Sequence, residues 1–328
     1  MLRNVCLFIC GICVIVSTAF AADMVQGNWE GVFKSKGWKD TPISAKIVAE
    51  GQDKYRAIFD VKSKEGKTAS VTAHAVIVKG KAAIDAEVDL GPGLGGPCKL
   101  KAKIAEGEMT GKFAGSGAPG AFTMKRIEKG SPTLGAKPPQ GAVVLFDGKN
   151  LDAWKCSETP WAIVEGGVME VRKGNICTKQ EFGDQKLHVE FRTPLMANMR
   201  GQARGNSGVY VLGRWEVQVL DSYGLETKEN ECGGIYKMAT PKVNACLPPT
   251  EWQTYDITFH APQYNASGVK TKSATISVEQ NGILIHDNVE LNGVTGGAIS
   301  PDEGKTGPLL LQDHHCLVQY RNIWVQPL

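Results

Sequence analysis

Apolar residues recur at every second position along most of this 328-residue chain, and turn residues interrupt the pattern roughly every eight to twelve positions. Tyr55, Ala57, Phe59 and Val61 form one such series. A period of two is typical of strands that bury one face. No stretch of twelve residues in the C-terminal half has the spacing of an amphipathic helix. The pattern therefore predicts an all-β protein.

Proline and glycine are concentrated at positions 129–141, where they favour neither a helix nor a central strand. We interpret this stretch as a linker between two domains. Residues 22–128 contain short strand candidates and predict an accessory domain, a small antiparallel β barrel or sandwich. Residues 142–328 contain more strand candidates, including a hairpin at Asn281-Gly282, and predict a two-sheet jelly-roll sandwich.

The N-terminus has the pattern of a secretory signal peptide. Arg3 precedes an apolar run at 5–16, and Ala19 and Ala21 form an A-x-A cleavage site. The alternative is a membrane anchor, but the apolar run is shorter than the ~20 residues that a spanning helix needs. We therefore predict a signal peptide at 1–21, export to the periplasm or the extracellular space, and no membrane span after cleavage.

Charge and cysteine content narrow the function classes. A net charge of +3 gives no indication of nucleic-acid binding, and no obligate protein partner is indicated. Three of the nine cysteines lie in the predicted signal peptide. The remaining even number permits disulfides in an exported chain, and Cys232 and Cys246, which flank one loop, are the first pair we predict. No C-x-x-C pair is left to indicate a structural zinc site.

The strand candidate at 215–221 carries a polar face. Trp215 and Val217 lie on one side, and Glu216 and Gln218 lie on the other, because successive side chains of a strand alternate. Asp221 ends the strand. A carboxylate beside an amide on a sheet face could bind a hydroxyl-rich ligand, although a plainly solvated strand face would have the same pattern.

A second polar cluster lies near the C-terminus. Gln312 and His314 share a strand face, and a histidine suits proton transfer or metal binding because it titrates near neutrality. Arg321 could bind a carbonyl or enolate oxygen. The alternative for His314 is a hydrogen bond to the backbone at a strand end.

Two further segments supply candidate substrate-binding residues. Asn206 and Ser207 precede a glycine, a pattern that usually marks a turn but could also line the rim of a pocket. Tyr236 could offer a flat apolar surface to a sugar ring.

Eight short motifs follow one another through the C-terminal domain and together resemble the 3-keto-disaccharide hydrolase family, formerly a domain of unknown function. They are LFDGKNLDAW at 145–154, GNSGVY at 205–210, WEVQVLD at 215–221, GGIY at 233–236, EWQTY at 251–255, NG at 281–282, GPLLLQDH at 307–314 and YRNI at 320–323. The sequence departs from the family in having His315 where glycine is usual and Tyr320 where phenylalanine is usual.

The resemblance implies a concanavalin-like jelly roll that cleaves 3-keto-glycosides by C2 proton abstraction, elimination at C1 and hydration. Under this interpretation Glu216 or His314 is the base, and Arg321 or a divalent metal stabilises the enolate. Asp221 and His314 are the expected ligands of such a metal, and Asp221 joins Glu216 and His314 as a candidate catalytic residue. The alternatives are a lectin-like module without catalysis and a structural envelope protein.

Overall fold

The computed structural model describes residues 25–36, 40–62, 68–78, 81–91, 94, 96–115 and 119–328. The predicted signal peptide at 1–21 lies outside the described residues and stays a prediction. Within the described ranges every regular element apart from one 3-10 turn at Gly201–Ala203 is a β-strand. No described helix is long and apolar enough to cross a membrane.

The N-terminal part is a closed antiparallel barrel in which each strand pairs with its neighbour in sequence and β8 closes back onto β1. The strands are β1 (Gly27–Ser35), β2 (Thr41–Gly51), β3 (Lys54–Lys62), β4 (Thr68–Val78), β5 (Lys81–Asp89), β6 (Pro97–Ala105), β7 (Glu108–Gly115) and β8 (Gly120–Ile127).

The barrel is filled with side chains. Buried and exposed positions alternate strictly along β6, so that one half of the strand faces inward. Phe33, Phe59, Phe113 and Phe122 meet inside, with ring centroids 5.5 to 6.3 Å apart. Edge-to-face and tilted contacts at this spacing are favourable for aromatic rings. The barrel therefore has a packed aromatic core.

The C-terminal part is a sandwich of two antiparallel sheets. Its strands are β9 (Val143–Phe146), β10 (Trp154–Cys156), β11 (Ala162–Val164), β12 (Val168–Glu170), β13 (Ile176–Phe182), β14 (Gln185–Arg192), β15 (Ser207–Val211), β16 (Trp215–Val219), β17 (Gln253–His260), β18 (Gln263–Tyr264), β19 (Lys270–Lys272), β20 (Ala274–Gln280), β21 (Ile283–Leu291), β22 (Gly307–Leu311) and β23 (Gln319–Pro327).

The smaller sheet has the order β10-β13-β22-β15-β16, and the larger has the order β11-β12-β23-β14-β17-β20-β21 with β9 beside β23. Their apolar faces form a continuous core. Trp215 of the smaller sheet packs on Phe259 of the larger with ring centroids 5.0 Å apart. The predicted all-β fold, a small barrel followed by a jelly-roll-like sandwich, is confirmed.

The proline- and glycine-rich stretch at 129–141 lies against the outer face of the larger sheet. Thr133 donates to Asp256 at 2.6 Å, the Gly135 amide donates to Glu190 at 2.5 Å, and Asn322 donates to the Ala136 carbonyl at 3.0 Å. Hydrogen bonds thus hold it to the sandwich. The predicted domain boundaries remain a prediction.

A buried ion pair lies where the barrel contacts the sandwich. Arg204 Nε donates to Asp221 Oδ2 at 2.6 Å, and only 6% and 1% of the two side chains are exposed. Arg204 Nη1 also donates to the carbonyl of Ala49 in the barrel at 3.1 Å. Nearby, the Tyr223 hydroxyl donates to Asn28 of β1 at 2.9 Å. Polar contacts between buried groups therefore join the two parts.

We predict that Arg204→Met destabilises the protein by about 3–5 kcal/mol, because it leaves the Asp221 carboxylate buried without its partner. Urea unfolding followed by tryptophan fluorescence measures the change. The double variant Arg204→Met/Asp221→Leu should recover most of the loss, since both charges are then gone. Lys149→Met, which removes the exposed pair with Asp147, is the control and should leave unfolding unchanged. An unaltered midpoint for Arg204→Met would contradict the role of this pair.

Candidate functional site

A cavity of about 260 Å³ opens on the face of the smaller sheet that is turned away from the core. Its described lining is polar and aromatic, and it includes neither lysine nor arginine. The lining residues are Gln202, Asn206, Tyr210, Glu216, Gln218, Tyr236, Gly296, Gly297, Gln312 and His314. Six of them were predicted from the sequence: Asn206, Glu216, Gln218, Tyr236, Gln312 and His314.

The pairing of β15 with β16 forms the floor of this cavity. Tyr210 lies opposite Glu216, and Gly208 lies opposite Gln218. The alternate residues of both strands point into the core, so these side chains point outward together. The segment after β16 then folds back along it, and the Tyr236 amide donates to the Glu216 carbonyl at 3.2 Å. This return brings Tyr236 to the cavity wall.

Glu216 is a buried carboxyl at the bottom of the cavity, with 2% of its surface exposed. Burial raises the pKa of Glu216 to about 7, although the hydrogen bond from the Tyr210 hydroxyl, 2.8 Å from Oε2, lowers it. A carboxyl with a pKa near neutrality can both accept and release a proton at physiological pH. Glu216 therefore has the properties of a general base.

Three amide side chains around Glu216 present unused acceptors. The oxygens of Asn206, Gln218 and Gln312 are buried and accept no hydrogen bond from any described residue. Their NH₂ groups are engaged: Asn206 and Gln218 donate to Gln202, and Gln312 donates to the Tyr210 hydroxyl at 3.0 Å. Since an unpaired buried acceptor costs free energy, this lining suits a ligand that brings several hydrogen-bond donors.

His314 lies at the mouth of the cavity, in an exposed turn after β22. The turn is fixed by Asp313, which accepts hydrogen bonds from the backbone amides of Gly174 at 2.9 Å and His315 at 2.7 Å. His315 has a φ of 62°, a conformation that glycine adopts at little cost. This explains the family's usual glycine. His315 itself does not line the cavity.

Ser207, predicted to bind substrate, joins the two sheets instead. Its side chain is fully buried, donates to the Gln312 carbonyl at 2.6 Å and accepts from the Tyr320 hydroxyl at 2.7 Å. Its hydroxyl is therefore committed within the protein. The same contact accounts for Tyr320 in place of the family's phenylalanine, because the added hydroxyl finds a partner in Ser207.

Asp221 does not reach this cavity, so its predicted roles in catalysis and metal binding are not supported by its position. It follows the end of β16 and pairs with Arg204 beside the barrel. Burial raises the pKa of the Asp221 carboxyl, and the Arg204 charge opposes this shift. Asp221 and His314 line different cavities, and the described residues contain no cluster of three His, Cys, Asp or Glu side chains that could hold a metal ion.

Arg321 is also placed elsewhere. Strand β23 belongs to the larger sheet, and Arg321 donates to Glu190 of the neighbouring β14 at 2.6 Å. Its guanidinium lies 4.1 Å from the centroid of the Trp252 ring. The prediction that it binds an enolate oxygen is therefore wrong in its geometry, because β23 and β16 lie in different sheets.

The predicted Cys232–Cys246 bridge is not formed in the structure, where both residues are buried free thiols. The two side chains are nevertheless in contact, and the hydrogen bond with Cys232 raises the pKa of the Cys246 thiol. Cys232 also lies 3.3 Å from the Tyr255 hydroxyl. The pairing was thus right in proximity and wrong in covalent state.

Four lining residues were missed by the sequence analysis. Tyr210 could have been found, because it shares a strand face with Gly208 of the GNSGVY motif. Gln202 comes from the 3-10 turn and Gly296 and Gly297 from a loop, and no local pattern indicates where such a segment returns to a sheet.

The chain thus has a jelly-roll-like sandwich of two sheets, and the smaller sheet carries a polar cavity on its outer face. The family described as the 3-keto-alpha-glucoside-1,2-lyase-like domain matches residues 141–326, more than half of the chain, and the chain belongs to this family. This membership supports a carbohydrate-active function.

Two solved structures from Parabacteroides distasonis, each described as a candidate glycosyl hydrolase, are similar to this chain. The first is 38% identical to this chain with a TM-score of 0.53. The aligned region covers 58% of this chain and 85% of that structure's chain. The second is 20% identical to this chain with a TM-score of 0.43. The aligned region covers 57% of this chain and 94% of that structure's chain. The chain has no match among curated proteins.

We predict that the free energy of unfolding falls as the pH rises, because of Glu216. Its pKa is about 7 in the folded protein against an ordinary value of 4.5, so folding favours the protonated form. This contribution is complete below pH 4.5 and is lost as the pH rises through 7. Between pH 4.5 and 8, the native protein should lose about 3 kcal/mol more stability than Glu216→Gln.

Urea unfolding at the two pH values measures this difference. Glu279→Gln, an exposed change on β20, is the control and should follow the native protein. Equal losses for Glu216→Gln and the native protein would show that the carboxyl is not perturbed by folding.

Proposed function

We propose that this protein cleaves 3-keto-glycosides, with Glu216 as the base that removes the C2 proton. The observation that carries the proposal is the Glu216 carboxyl at the bottom of a cavity in which three buried amide oxygens are unused acceptors. A ketone at C3 acidifies the C2 hydrogen. Its removal allows the C1 substituent to leave, and addition of water gives net hydrolysis.

Geometry favours Glu216 over His314 as the base. Glu216 is held by Tyr210 at 2.8 Å and is shielded from water, so that its position and its pKa are both set by the protein. His314 is exposed at the mouth. From there its imidazole could protonate the departing C1 oxygen, whose substituent must extend towards solvent.

The acceptors around Glu216 account for the recognition of a sugar. Free hydroxyl groups of a sugar ring can donate to the oxygens of Asn206, Gln218 and Gln312, which would then be paired. Tyr236 offers an aromatic wall on one side. A buried acceptor that lacks its donor is costly, so a ligand without these hydroxyls should bind poorly.

Stabilisation of the enolate cannot be assigned to Arg321, which lies on the larger sheet. The predicted metal ligands Asp221 and His314 do not fit a shared ion either, since they line different cavities. A requirement for a divalent metal stays a separate prediction, which chelation with EDTA tests. Export through the signal peptide at 1–21 also remains part of this proposal.

We expect the purified protein to release product from a 3-keto-disaccharide and none from its unoxidised parent, since only the ketone acidifies C2. Glu216→Gln should lower kcat/KM by 10²–10⁴-fold, the range for loss of a general base. Chromatography of reducing sugars measures both. Parallel reactions with EDTA decide whether a divalent metal is required.

The control is Glu279→Gln, which makes the same chemical change outside the cavity and should keep full activity. Retained binding of a glycan without cleavage of either sugar would favour the lectin-like module instead. Full activity of both Glu216→Gln and His314→Ala would exclude the assigned roles.

A further inference from the structure

Tyr210 is buried at the centre of the cavity floor, and the sequence motifs predicted no role for it. Only 1% of its surface is exposed. Its hydroxyl lies 2.8 Å from Glu216 Oε2, 3.0 Å from the Gly296 carbonyl and 3.0 Å from Gln312 Nε2. One phenol therefore connects the base, a loop backbone and one of the amides that line the site.

Two of these contacts, to Glu216 and to the Gly296 carbonyl, compete for the single phenol hydrogen. The Gln312 amide donates to the phenol oxygen, whereas an ionised Glu216 and the Gly296 carbonyl both accept. Burial raises the pKa of Tyr210, so the phenol keeps its hydrogen and remains a donor. A hydrogen bond to a carboxylate is stronger than one to a neutral carbonyl, so the hydrogen points to Glu216 when Glu216 is ionised.

Close packing prevents Tyr210 from turning away. A Cβ atom on Gly297 would lie 2.6 Å from the hydroxyl, and one on Gly208 would lie 2.9 Å from the ring. Both glycines thus let the backbone approach the tyrosine on two sides. Antiparallel pairing also places Tyr210 directly opposite Glu216, so neighbouring strands hold both residues.

We propose that Tyr210 is a positioning residue: it holds the Glu216 carboxyl in place and gives its hydrogen to Glu216 when ionised and to the Gly296 carbonyl when Glu216 is neutral. During the reaction the proton moves from C2 of the sugar to Glu216, and Tyr210 only redirects its hydrogen bond. The phenol then donates to the Gly296 carbonyl, and its oxygen can accept the hydrogen of the neutral carboxyl. The inference rests on the proposed function for the identity of the base.

The same contact orients Gln312. Because its NH₂ group donates to the phenol oxygen, its own oxygen is left for the ligand. The other titratable groups around Glu216 are Tyr236 on the segment after β16, His314 at the mouth and Tyr320 from β23 of the facing sheet. Unlike the phenols of Tyr236 and Tyr320, that of Tyr210 lowers the Glu216 pKa through a hydrogen bond.

Tyr210→Phe should raise the pKa of Glu216 by about one pH unit, because the hydrogen bond that favours the charged form is lost. Infrared difference spectra of the carboxyl, titrated against pH, measure this directly, and Glu216→Gln identifies the band. The acidic limb of the kcat/KM profile should move upward by the same amount. A purely structural role would lower activity without moving either quantity.

Replacement of Tyr210 by 3,5-difluorotyrosine tests for a shift of the Glu216 pKa in the opposite direction. The fluorinated phenol is a stronger donor at nearly the same size, so it should lower the pKa of Glu216. This substitution keeps the inference testable if Tyr210→Phe fails to fold. Tyr223→Phe, which removes a buried hydroxyl outside the cavity, is the control and should leave the carboxyl band in place.

The infrared titration separates this inference from the proposed function. An unmoved carboxyl pKa in both Tyr210 variants would overturn the inference, even in an enzyme that cleaves 3-keto-glycosides through Glu216. Shifts of opposite sign in a protein that cleaves no such sugar would support the role of Tyr210 and overturn the proposed function.

Discussion

The antiparallel pairing of β15 with β16 is the interaction on which the rest of the site depends. Its register sets Tyr210 opposite Glu216 on the cavity side and directs Trp215 and Val217 into the core. Because the side-chain period of a strand is two, a slip of one residue would turn Glu216 into the core and Trp215 out to water. The contact of Trp215 with Phe259 in the opposite sheet therefore fixes the register that orients the base.

The cavity holds polar groups in a state that costs stability. A carboxyl with a pKa raised to about 7 and three amide oxygens without partners among the described residues are unfavourable in a folded protein. The continuous apolar core between the two sheets offsets that cost. A site of this kind is typical of a protein that binds its ligand through donors that the ligand supplies.

Local periodicity predicted what lies within one strand and failed where distant segments meet. The alternation at 215–221 correctly separated Glu216 and Gln218 from the core residues. It gave no information on which sheet β23 joins, and Arg321 was therefore predicted for a site that it does not line. Asp221 lies away from the cavity because it pairs with Arg204, which precedes β15 at the same open end of the β15–β16 hairpin, and the pattern at 215–221 does not indicate this partner. Loop glycines such as Gly297 carry no local signal at all.

The position of Asp221 shows how a motif residue can serve a site without touching its ligand. Arg204 follows Gln202 and precedes Asn206, two residues of the cavity wall. The ion pair with Asp221 ties this segment to the end of β16, and the bond from Arg204 to the Ala49 carbonyl ties it to the barrel. The barrel has a packed interior, and at this point it supplies the carbonyl that accepts from Arg204. Loss of the Arg204–Asp221 pair should therefore disturb the acceptors of the cavity as well as the joint between barrel and sandwich.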